Sequence, residues 1–160
     1  MSVEGISSGL RKLVIMEPEI FEEEPEEVLV EPIVIPESQI SYRPDSAEFL
    51  DADAAAATIQ PLAEFMLNNN RSILLYGTCA GDHDTNNTRR LGLARAGAVK
   101  DLLVQAGVDE SRITVISISI ADDPYYQYGL GTGSAASVNR KTVIVDMESD
   151  LVAELLPKAQ

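Results

Sequence analysis

Tryptophan is missing from this 160-residue chain, and cysteine and histidine occur once each. A lone Cys79 excludes an internal disulfide and a cysteine-based zinc cluster, and a single His83 adds little to a metal site. Basic residues are scarce too: twelve Lys and Arg stand against 26 Asp and Glu, for a formal charge of −14. Phosphate recognition needs clustered cations, so the charge argues against nucleic acid, and an anionic membrane surface is disfavoured. No apolar run approaches the ~20 residues needed to cross a bilayer. Met1 to Leu13 has neither a basic start leading into an apolar stretch nor a small-residue cleavage site, so no export signal is visible in the chain. What remains is a soluble type of composition, 45% hydrophobic with a mean hydropathy of zero, and a length that suits one core.

Residues 17 to 37 hold nine acidic residues together with Pro18, Pro25, Pro32 and Pro36. Prolines remove backbone donors where a regular element needs them, so residues 1–37 are expected to form an acidic linker and residues 38–160 the domain. Within the linker, Val28-Leu29-Val30 and Ile33-Val34-Ile35 are β-branched pieces able to add to a sheet edge. Leu10 to Ile15 reads either as the last strand of a preceding domain or as a tail. This acidic segment is also the expected contact to other proteins.

From residue 38 the pattern becomes regular. Gln39 to Arg43 is expected as a strand ended by Pro44, Asp45 and Ser46, which are turn formers. Asp51 or Asp53 can cap a helix running through Ala54 to Leu67 with Ile59, Leu62, Ala63 and Met66 inward, where Pro61 kinks the helix or delays its start. Ser72 to Tyr76 is a strand closed by Gly77, and a polar loop from Ala80 to Asn87 leads to a helix from about Thr88 to Ala106, stopped by Gly107. Its inner stripe is expected to be Leu91, Ala94, Ala98 and Leu102, broadened by Val99 and Leu103, with Arg95 in the middle. Ile113 to Ile120 and Lys141 to Asp146 are further strands, separated by a stretch rich in Tyr and Gly, and Ser149 to Leu156 is a terminal helix. Alternating strands and helices predict an α/β (α+β) fold.

The run Leu91-Gly92-Leu93-Ala94-Arg95-Ala96-Gly97-Ala98-Val99-Lys100, followed by Leu102-Leu103 and Gly107-Val108-Asp109, resembles the second helix of OmpA-like domains of the OmpA C-terminal and MotB type. Asp45-Ser46-Ala47-Glu48, Gly77 and Asn139-Arg140-Lys141 match further family motifs in the right order, so the resemblance covers about residues 38 to 148. It implies a βαβαβ(α)β sandwich with a small mixed sheet covered by helices on one side. It also implies a non-catalytic domain that holds the peptidoglycan stem peptide without a cofactor or metal, in the cell envelope if the full-length gene carries an export signal.

In the family an aspartate after the second strand and an arginine on the next helix hold the charged ends of diaminopimelate. The resemblance puts that arginine at Arg95, whose fork can take a carboxylate through two parallel hydrogen bonds. The family's Thr-Asp pair falls on Cys79-Ala80 and its asparagine on Thr88. Ala80 cannot accept a charged hydrogen bond, a loss of about one to two powers of ten in affinity unless Asp82 or Asp84 reaches in from the same loop. Arg140, at a strand start, is a secondary ligand candidate. The other reading of Arg95 is structural, paired to Asp82 or Asp122, in a domain that keeps the fold as a scaffold or protein-interaction element and no longer binds peptidoglycan. Cys79 reads as a small hydrophobe, since no His or other base stands in recognisable order with it, and Asp82-His83-Asp84 and Asp122-Asp123 read as solvated loops.

Overall fold

The computed structural model describes residue 29 and residues 31–79, 85–127 and 138–159. Four strands form one sheet: β1 (Ile33–Pro36), β2 (Ile73–Thr78), β3 (Ile113–Val115) and β4 (Lys141–Asp146), in the order β1-β4-β2-β3. β4 runs antiparallel to both β1 and β2, and β2 runs parallel to β3. Among the described residues there are also three α-helices, α1 (Ala52–Asn68), α2 (Asn86–Gln105) and α3 (Asp150–Leu155). The sheet is therefore mixed and the class α+β.

Strand alternation divides the interior into two layers. Ile35, Ile73, Leu75, Ile113 and Ile144 face α1 and α2, where they meet Ile59, Leu62, Met66, Val99 and Leu103. Leu74, Tyr76, Val143 and Val145 face the other way and are covered by Val152 and Leu155 of α3 and by Ile116 and Ile118. The two long helices lie on one side, as expected, while the short α3 shields the opposite face.

The Ile33-Val34-Ile35 piece, expected to be able to add to a sheet edge, does so as β1, pairing with β4 while Ile33 and Ile35 pack against α1. Two other elements differ from expectation. Gln39 to Arg43 turns instead: Gln39 and Ile40 both donate their N–H to the Pro36 carbonyl, leaving one bridge between Tyr42 and Phe49. The third strand stops at Val115 rather than Ile120; the Ile116 N–H still donates to Leu75 O of β2, and Ile116 and Ile118 pack on the second face of the sheet. In α1, Asp51 caps as expected, accepting from Ala54 at 3.0 Å, and Pro61 lies on the exposed side without ending the helix.

The inner face of α2 is also turned from the expected stripe. Its buried residues are Gly92, Arg95, Ala96, Val99 and Leu103, and Ala94 is exposed. The cause is a backbone contact between two glycines: a Cβ at Gly77 would lie 2.8 Å from the Gly92 carbonyl oxygen, and one at Gly92 would collide with the Gly77 carbonyl. Gly92→Ala must therefore push α2 off the sheet, with an expected loss of about 1–3 kcal/mol by urea denaturation. Gly97→Ala on the same helix meets nothing within 4 Å and is expected to gain about 0.5–1 kcal/mol from helix propensity. Equal effects at the two sites would refute the close-contact account.

β4 is anchored at its end by a buried pair. Arg71 donates to Asp146 through Nη2 at 2.9 Å and Nε at 3.3 Å, and the Glu148 and Leu29 N–H groups donate to the same carboxylate. Burial works to raise the Asp146 carboxyl, but the Arg71 guanidinium and the two N–H donors outweigh it and hold it below the usual range. A depressed folded value means that the contribution is complete above the unfolded pKa, about 4, and is lost as pH falls through the folded value. Asp146→Asn is expected to cost about 3–5 kcal/mol at pH 7 and less at pH 2 to 3, where the wild-type carboxyl is itself protonated. A difference between the two proteins that does not shrink on acidification would contradict this.

Candidate functional site

The glycine contact places Arg95 less than one turn further along α2, at the end of β2. The side chain is only 7% exposed and meets the loop between β1 and α1. Its Nε donates to the Ser46 carbonyl at 2.8 Å and its Nη2 to the Arg43 carbonyl at 3.4 Å, while its guanidinium lies 4.7 Å above the centre of the Tyr42 ring. Tyr42 returns a hydrogen bond to the Arg95 carbonyl at 3.1 Å and stacks on Phe49. The loop itself is a short hairpin, with Arg43 N–H donating to Glu48 O and Leu50 N–H to Ser41 O, and Asp45 at its tip has a φ of 53°. Aspartate tolerates this left-handed conformation better than most residues.

A cleft of about 400 Å³ opens here, lined by Tyr42, Asp45, Cys79 and Arg95 together with Glu37 and Arg140. Arg140 donates from Nε to Glu37 Oε1 at 2.7 Å, which joins the start of β4 to the residue after β1. Lys141 also reaches the cleft lining, but its Nζ is bound to Asp123 at 2.6 Å and to Thr78 Oγ at 3.1 Å. Asp123 is thus a buried carboxylate, not a solvated loop residue as expected, and it takes a further hydrogen bond from the Tyr76 hydroxyl at 2.9 Å. Asn139, fully buried, exchanges two 2.9 Å hydrogen bonds with the Gln127 backbone.

Of the residues singled out from sequence, Arg95 and Arg140 meet at this cleft. Thr88 does not line this cleft: its hydroxyl completes the cap of α2 with Thr85, it borders a smaller recess with Gly77, Cys79 and Ile118, and its carbonyl accepts from Cys79 Sγ, which Arg95 also contacts. Asp122 accepts from Ser119 and does not pair with Arg95. Ala80, Asp82 and Asp84, with His83, lie outside the described residues. Cys79, in the expected binding stretch through Cys79-Ala80, also lines the cleft, whereas Tyr42, Asp45 and Glu37 were not foreseen there.

The sequence of residues 41–137 matches the model of the OmpA family. This chain belongs to the OmpA family. No curated protein matches it significantly, but solved structures share the fold of this OmpA family member. The periplasmic domain of Helicobacter pylori MotB aligns with a TM-score of 0.54 at 14% identity, over 79% of this chain and 88% of that one. The peptidoglycan-associated lipoprotein of Burkholderia pseudomallei gives 0.54 at 21% identity, covering 71% of this chain and 88% of its own. The cell wall anchor of the T6SS from Pseudomonas aeruginosa gives 0.54 at 21% identity, covering 71% and 78%.

Cys79 reports on the charges of this OmpA family cleft. Burial pushes its thiol up, Arg95 draws it down and Asp45 pushes it up again, with a smaller downward pull from Arg140. Alkylation by iodoacetamide is therefore expected to be slow at pH 8, because the thiolate is the reactive form. Asp45→Asn should accelerate it and Arg95→Met should slow it. Identical rate profiles against pH in all three proteins would show that neither charge reaches the thiol.

Proposed function

We propose that this OmpA family domain is a non-catalytic module of the cell envelope that holds peptidoglycan non-covalently, with the charged end of the stem peptide in the Arg95 cleft. Arg95 carries the reading. It is a guanidinium more than nine-tenths buried, beside an open cleft, with carbonyls, a thiol and an aromatic face as partners and no carboxylate among the described residues. A desolvated cation of this kind gains most from an incoming anion, which an arginine fork takes in two parallel hydrogen bonds. The names of its structural neighbours, a peptidoglycan-associated lipoprotein and a cell wall anchor, agree with such a role. Ala80, in the family's aspartate position, implies weaker or altered binding than the family pattern provides. The acidic residues 1–37 are suited to contacts with other envelope proteins.

A second reading, a scaffold that no longer binds cell wall, draws support from two contacts. Glu37 already occupies Arg140, and Arg95 already pins the loop at Arg43 and Ser46.

Calorimetric titration with muropeptides ending in diaminopimelate separates the two. Saturable binding below millimolar ligand is expected. It should weaken at least about tenfold in Arg95→Lys, since an ammonium cannot reproduce the fork, and by a similar factor when the peptide carboxylates are amidated. The amidated ligand tests the carboxylate contact in unaltered protein. No heat of binding at several millimolar with any of these ligands would leave the scaffold reading standing.

A further inference from the structure

β1 stands last in the sheet order and, among the described residues, pairs only with β4. The backbone groups on its outer side are open to a further strand. Beside that edge runs an apolar groove of about 290 Å³, walled by Leu29, Ile33 and Ile35 on one side and by Pro61, Leu62 and Phe65 of α1 on the other. It shares no lining residue with the Arg95 cleft. Val34, on the opposite face of β1, is 39% exposed. An edge with apolar surface on both faces fits a strand that is itself apolar on both faces. The surroundings are acidic: residues 31–37 and α1 carry Glu31, Glu37, Asp53 and Glu64 and no Lys or Arg.

We propose that residues 10–15 of the same chain, which lie outside the described residues, pair with the open edge of β1 as a further strand, with Leu13 and Ile15 in the groove and Val14 against Val34. The alternation in Leu10-Arg11-Lys12-Leu13-Val14-Ile15 puts Leu13 and Ile15 on one side of a strand and Val14 on the other. Charge selects the same piece. Arg11 and Lys12 are the only Lys or Arg before Arg43, so the one cationic segment in this part of the chain meets the acidic edge. Ile20-Phe21, another apolar pair ahead of Val28, stands between Glu19 and Glu22 and would bring like charge to that edge. The described chain begins at the groove itself, at Leu29, whose N–H donates to the Asp146 carboxylate. From there residues 16–28 can span about 40 Å, enough to return along β1, and so short a tether holds the segment at an effective concentration on the order of millimolar.

NMR spectroscopy of the full chain tests this. Nuclear Overhauser contacts from the Leu13 and Ile15 methyls to the Phe65 ring and the Ile33 methyls are expected, at an intensity independent of protein concentration. Leu13→Ser combined with Ile15→Ser should abolish them and speed hydrogen exchange at least about tenfold at the β1 amides that do not donate to β4, while exchange in β2 stays as it was. Arg11→Glu combined with Lys12→Glu should speed the same amides by a smaller factor. Absence of any contact from residues 10–15 to Phe65 or Ile33 overturns the proposal, whatever the exchange rates. Contacts from Ile20 or Phe21 in their place overturn it as well. So do contacts seen only between labelled and unlabelled copies in a mixed sample, which would make the edge an interface between two chains.

Discussion

The approach of α2 to β2 through Gly77 and Gly92 is the constraint from which the rest of the molecule follows. Two backbones meet where side chains would ordinarily intervene, and the carbonyl of each glycine occupies the space that a Cβ on the other would need. The contact sets both the distance and the rotation of the helix. Ala96, Val99 and Leu103 are thereby directed into the core, and Arg95 is brought to the rim where β2 ends. Helix rotation is a shared variable, so packing in the core and the direction of the guanidinium cannot be altered separately.

Buried charge is handled by long-range pairing at both ends of β4. Lys141 at its start meets Asp123 on one face of the sheet, and Asp146 at its end meets Arg71. Such pairs add little net stability compared with apolar packing, because desolvation offsets much of their attraction, but leaving either partner alone is costly. They therefore act against strand slippage: a one-residue shift of β4 would move every one of its side chains to the wrong face and strand both ions. At the cleft the pattern is different. Asp45 and Arg95 both line it, and among the described residues neither forms an ion pair there.

Much of the architecture could be read locally. The capping Asp51, the inward face of α1 at Ile59, Leu62, Ala63 and Met66, and the strand Lys141–Asp146 follow from period and cap chemistry over a few residues. Ile33-Val34-Ile35 could be read as a piece able to add to a sheet edge, but its partner β4, more than a hundred residues away, could not. The stripe of α2 was misplaced for a related reason. Hydrophobic periodicity gives weight to Leu91, Ala94 and Ala98 and none to Gly92, although the glycine is the residue that touches the sheet.

By itself the sequence determined the family, the succession of elements and the identity of Arg95 as the cation to watch, because these depend on spacing along the chain. Tertiary structure alone decided which charges stay available in the cleft. Glu37 withdraws Arg140 from 103 positions away, Asp123 withdraws Lys141, and Asp45 is brought beside Arg95 from half a domain earlier. Electrostatic pairing acts through space over a few ångströms. Chain separation therefore says nothing about it until the backbone has brought the partners together.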